Sequence, residues 1–200
     1  MLVAGLHPAD LAPADMRLAI AEVTAYGAGW RRGEPWPVPP VPIPMDYVTR
    51  AAFLWRGGEC YTVDASVTNA PLCWVNCDAP RGADFQSAVS QVSNLPGARR
   101  QMAHAFVPGE PLVITLSVSP AAARAYVVEE QSPPGWAVAS ISDGGELDAV
   151  NGTVKWGPFL DNTPRSLSYQ ATPPATADRA VSFAGVASFD GTSRTITGVR

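Results

Sequence analysis

From Arg99 to Arg200 the sequence alternates in hydrophobicity, and that alternation limits the fold more than any other feature. In PLVITLSVS, Leu112, Ile114, Leu116 and Val118 share one face, while Val113, Thr115, Ser117 and Ser119 share the other. A period of two is what a half-buried β-strand requires. RSLSYQAT repeats it with Leu167 and Tyr169 inward and Ser166, Ser168 and Gln170 outward. Five more short β-rich runs follow: AYVVEEQ, GWAVASIS, GTVKWG, RAVSFAGVASF and RTITGV. Turn signals separate them, namely Pro133-Pro134-Gly135, Asp143-Gly144-Gly145, Asn151-Gly152 and Asp190-Gly191. Asn-Gly or Asp-Gly between apolar runs marks a β-hairpin. The chain is therefore expected to be mainly β, with about seven strands packed as an antiparallel sandwich. Trp136, Trp156, Phe159, Tyr169 and Phe183 are expected to fill the space between its sheets.

The first half reads differently. Leu18, Ala21, Ala25 and Ala28 recur at spacings of three and four, which predicts a helix ending near Gly29 or Gly33, after Arg31-Arg32. PWPVPPVPIP (35–44) holds six prolines in ten residues and is expected to run extended and stiff. A second helix is expected over Met45–Arg56, stopped by Gly57-Gly58. In 59–98, CYTVDASV and PLCWVNC are candidate strands, and ADFQSAVSQVSNL is a short helix or a loop. The expected organisation is thus a helical segment (1–34), a proline spacer (35–44), a connecting region (45–98) and the sandwich (99–200).

Composition narrows the function classes. With 46% hydrophobic and 16% charged residues, the chain has enough apolar content for a core. A net charge of −4, without basic runs, argues against a nucleic-acid partner. No stretch approaches the ~20 apolar residues of a membrane helix. Cys60, Cys73 and Cys77 are odd in number, so one disulfide plus a free thiol is one arrangement open to them. Zinc is poorly supported, because the cysteines have no second pair and no nearby histidine.

Catalytic sets are not legible, and no enzyme is expected. His7 lies in what reads as a frayed start, and His104 has no partner placed by spacing. The sequence has neither Gly-x-Ser-x-Gly nor Gly-Lys-Ser/Thr. Glu129 and Glu130 are adjacent in a strand, so they point to opposite faces and cannot act on one bond. Asp143, Glu146 and Asp148 read as turn carboxylates. Trp136 and Trp156 are the candidates for a sugar-stacking platform, set against their role as core residues.

Residues 99–200 carry Pro134-Gly135-Trp136, Trp156-Gly157-Pro158-Phe159 and Ser188-Phe189-Asp190-Gly191. In these three segments the chain resembles an Ig-like repeat near the C-termini of large secreted or surface proteins of bacteria. That resemblance implies a non-catalytic extracellular or cell-surface module whose partners are other domains of a longer chain. ADLAPADMRLAIAEVTAY resembles the calcium loop and helix of a dockerin, with Leu11, Pro13 and Met16 at its first, third and sixth positions. The loop is therefore expected to be degenerate, and its remaining calcium ligands would be Asp10, Asp15, the Arg17 carbonyl and Glu22. The dockerin resemblance carries the alternative expectation of a module that binds polysaccharide or a cohesin-type protein. MLVAGLHPADL is no recognisable secretory signal; export is expected from the resemblance, with this chain the last part of a longer one.

Overall fold

The computed structural model describes residues 5–78, 95–177 and 180–199. Two helices come first, α1 (Ile20–Arg32) and α2 (Met45–Arg56), followed by a short antiparallel hairpin of β1 (Tyr61–Val63) and β2 (Trp74–Asn76). Ten strands make up the remainder: β3 (Gly97–Gln101), β4 (Leu112–Ser119), β5 (Tyr126–Gln131), β6 (Ala137–Ala139), β7 (Glu146–Asp148), β8 (Thr153–Phe159), β9 (Arg165–Thr172), β10 (Ala184–Phe189), β11 (Thr192–Thr195) and β12 (Thr197–Gly198). They form two five-stranded sheets, ordered β11-β10-β5-β8-β7 and β12-β3-β4-β9-β6. All pairings are antiparallel except β12 with β3. The chain is mainly β, a sandwich with a small helical part.

The alternating faces pack as their period requires. Ile114, Leu116 and Val118 of β4 and Leu167, Tyr169 and Ala171 of β9 meet Tyr126, Val128, Val154, Trp156, Ala187 and Phe189 of the opposite sheet. Trp136 and Phe183 close the same core. Ten strands stand where about seven were expected from Arg99 onward. The difference lies in β3 (five residues), which no expected run covered, in β7, whose three residues are too few to display a period, and in RTITGV, which spans the end of β11 and all of β12. The segment ADFQSAVSQVSNL lies outside the described residues, except for Leu95.

A second core lies on the outer face of β11-β10-β5-β8-β7. There Ala125 and Val127 join Val23, Tyr26 and Trp30 of α1 and Val48, Ala51, Ala52 and Leu54 of α2. α1 ends as its glycine predicts: Gly33 adopts φ 65°, and the N–H groups of Gly33 and Glu34 cap Trp30 and Gly29 carbonyls. α2 spans the expected residues. The proline segment bends over 37–42 instead of running extended. Its two ends are pinned: the Trp36 ring meets Tyr26 edge-on at 5.0 Å, its Nε1 donates to the Pro8 carbonyl at 2.8 Å, and Ile43 is buried. It straps the helices to one another.

Two of the three segments that carry the surface-module resemblance are where the helices land. Gly27 of α1 sits directly on the Pro158 ring, where an added Cβ would come within 2.7 Å of Pro158 Cγ. On α2, Thr49 Oγ1 lies 2.8 Å from Ser188 Oγ and accepts the Gly191 N–H at 2.9 Å. Asp190 and Gly191 both have positive φ, 52° and 99°, which suits a two-residue hairpin turn between β10 and β11. The Asp190 carboxylate in turn accepts the N–H groups of Arg124 and Ala125 at the entrance to β5. Replacing Gly27 by Val should push α1 off Pro158 and lower stability by about 1–3 kcal/mol in chemical denaturation, the range for overpacking; an unchanged midpoint would contradict this packing.

Candidate functional site

The dockerin-like residues fold into a closed loop in which each carboxylate is a staple. Glu22 Oε2 accepts the Ala19 N–H at 2.9 Å, and Oε1 accepts those of Leu11 and Ala12, each at 2.9 Å. Asp10 is buried; it accepts the Asp15 and Met16 N–H groups at 3.1 and 2.9 Å and the Tyr61 hydroxyl at 2.5 Å. Asp15 accepts only the Arg17 N–H, at 3.0 Å, and Arg17 sits in a bridge to Cys60. A calcium loop aims oxygens at one point. This loop aims N–H donors at its own carboxylates, and no three His, Cys, Asp or Glu side chains among the described residues are grouped to hold a metal.

His7, expected in a frayed start, is fully buried. Its N–H donates to the Tyr61 hydroxyl at 2.8 Å, and its Nδ1 accepts the Ala9 N–H at 3.1 Å. The rings of Trp74, Tyr26 and Tyr47 surround it at 4.8, 5.7 and 6.1 Å. Its Nε2 has no hydrogen-bond partner among the described residues. Burial drives the imidazole pKa down to about 3, which keeps the ring neutral. No signal close in sequence reveals this, because Tyr61 lies 54 residues away. His104 is exposed and separate from this cluster.

The paired glutamates separate as strand geometry demands. Glu130 points between the sheets and forms a bidentate pair with Arg100, whose Nη2 donates to Oε2 at 2.8 Å; both side chains are buried. Arg100 also donates to the Val199 carbonyl at 2.9 Å. Burial pushes the Glu130 pKa up, and Arg100 pulls against that. Glu129 points the other way, toward α1, where it accepts Trp30 Nε1 at 2.8 Å. Its pKa is raised by burial, against the pull of Lys155.

Asp148 is a buried carboxylate, not the exposed turn residue its Gly-rich neighbourhood suggests. It accepts Lys155 Nζ at 3.0 Å and Asn151 Nδ2 at 2.9 Å. Burial raises its pKa, but the Asn151 and Lys155 hydrogen bonds outweigh that and hold it low. Lys155, the only lysine in the sequence, also donates to the Trp30 carbonyl at 2.9 Å and lies 4.0 Å from Glu129. Removing one partner of such a buried pair typically costs about 3–5 kcal/mol. Asp143 and Glu146 stay at the surface, as their turn context predicts.

Trp136 and Trp156 are core residues, and the stacking-platform expectation is corrected. Trp156 is fully buried and donates Nε1 to the Ser142 carbonyl at 3.0 Å. Trp136 packs edge-on against Phe106 and Phe183, at 5.0 and 5.6 Å. Neither presents a flat face to solvent. Cys60 and Cys77 form a disulfide, and Cys73 is free and buried. Burial pushes the Cys73 thiol pKa up, away from the reactive thiolate.

One surface feature was not legible in the sequence: a shallow groove of about 550 Å³ between β11, β12, β3 and β4, lined by Arg99, Arg194, Ser117, Ser119, Thr195 and Thr197 among others. No helix among the described residues is long and apolar enough to cross a membrane. No family model matches the chain, and no curated protein is similar to it.

The His7 burial makes a pH prediction. The folded pKa lies below the unfolded value near 6.5, so the unfolded chain binds the extra proton below that pH. This contribution to stability is complete above pH 6.5 and is lost as pH falls toward 3. Below pH 6 the wild-type chain should lose up to about 1.4 kcal/mol per pH unit relative to His7→Gln, measured by urea unfolding. Parallel curves would contradict a buried neutral histidine.

Proposed function

We propose that this chain is a non-catalytic structural module of a larger extracellular or cell-surface protein, which spaces or anchors other domains. The observation that carries the reading is how its chemistry-bearing side chains are used. Asp10, Glu22, Glu129, Glu130, Asp148 and Asp190 each accept protein hydrogen bonds that join one part of the chain to another. His7, Arg50 and Lys155 do the same work: Arg50 of α2 donates to the carbonyls of Leu72, Trp74 and Asp190. Side chains committed to cross-links suit a body that bears load better than one that turns over a substrate.

The resemblance in 99–200 to Ig-like surface repeats supports the same reading. So does the Cys60–Cys77 disulfide, since such bonds persist in oxidising compartments. The bond closes a loop across a sequence separation of 17, for which chain entropy predicts about 3 kcal/mol of stabilisation. Cell fractionation with thiol labelling of native material tests the proposal. The expected result is a surface or culture-medium polypeptide larger than this chain, with Cys60 and Cys77 protected from labelling unless reduced. Recovery from the cytosol with all three cysteines reactive after denaturation would overturn it.

A further inference from the structure

The groove at the corner of the sandwich has features that the structural role does not require. β11 ends at Thr195, the chain passes inward through buried Ile196, and it emerges in the other sheet as β12 from Thr197. That change of sheet leaves a step beside β3. Across the step, Thr197 pairs with Arg99, and Arg99 lies directly opposite Ser117 on β4. The next outward pair, Gly97 and Ser119, removes a side chain from the floor: a Cβ on Gly97 would meet no atom within 4 Å. Arg194 approaches from the β11 side.

The two arginines are unspent. Among the described residues, neither Arg99 nor Arg194 forms a salt bridge, whereas Arg31, Arg100, Lys155 and Arg165 each do. Arg194 Nε is buried and has no hydrogen-bond partner among the described residues, so that atom does not tie the guanidinium to the rest of the described fold. A guanidinium fork matches a planar carboxylate in two parallel hydrogen bonds. Serine and threonine hydroxyls, which donate and accept, match the hydroxyls of a sugar ring. The lining holds no aromatic residue, so a neutral glycan would find no stacking surface there.

We infer that this groove binds an acidic polysaccharide, with Arg99 and Arg194 gripping uronate carboxylates while Ser117, Ser119, Thr195 and Thr197 meet ring hydroxyls. The inference goes beyond the spacer role and does not depend on it: a load-bearing module with this groove would adhere to an acidic matrix.

Titration calorimetry of the full chain with hexagalacturonate, and with cellohexaose as the neutral control, tests it. The expected result is saturable binding of the uronate, weakened by added salt, and none of the neutral sugar. The double variant R99Q/R194Q should bind about tenfold more weakly or worse, with an unchanged melting temperature. G97L keeps the charge but fills the groove, and should weaken binding comparably. Absence of uronate binding at millimolar concentration, undiminished binding by either variant, equal binding of cellohexaose, or tighter binding of a polyphosphate of equal charge would each overturn it.

Discussion

The structure depends on one strand being buried on both sides. β5 lies at the centre of its sheet, between β10 and β8. Tyr126, Val128 and Glu130 face the second sheet, while Ala125, Val127 and Glu129 face the helices. Burial of this kind leaves each ionisable group on the strand with a strong need for a partner. Glu130 meets it with Arg100 across the sandwich, and Glu129 with Trp30 and Lys155 under α1. The same strand therefore fixes the register of the sandwich and seats the helical cap.

Most of the polar chemistry follows from that arrangement. Lys155 stands directly opposite Glu129 in the β5–β8 register, and Asp148 reaches it from β7. The Trp30 carbonyl near the end of α1 accepts from the same ammonium group, so a helix C-terminus is bound to a cation in the sheet. At the other end, Thr49 and Arg50 of α2 hold the β10–β11 turn. Helices and sheet are thus joined by hydrogen bonds at both ends and by apolar contact between them. The corner where β11 passes into β12 carries a surface feature that these contacts do not use, the groove at Arg99 and Arg194.

Sequence alone revealed the elements far better than their partners. α2 and the strands β4 and β9 were legible because their periods are clean and their ends carry glycine or turn residues. β5 shows no alternation, because both of its faces are covered. The opposite facing of Glu129 and Glu130 followed from strand geometry, but Arg100 and Trp30, 30 and 99 residues away, did not. His7 looked like part of a loose terminus for the same reason. The dockerin-like carboxylates were visible as residue types, whereas their use as main-chain caps depends on a loop conformation that residue spacing does not encode. The groove was invisible because its walls come from strands almost a hundred residues apart.

Burial of β5 from both sides makes cap and sandwich a single cooperative unit, and truncation tests this most directly. A chain beginning at Gly97 exposes Ala125 and Val127 and strips Trp30 from Glu129 and Lys155. Guanidinium denaturation should show one transition for the full chain, and a large loss of midpoint or failure to fold for the truncated one. A truncated chain that unfolds at the full-length midpoint would contradict the account.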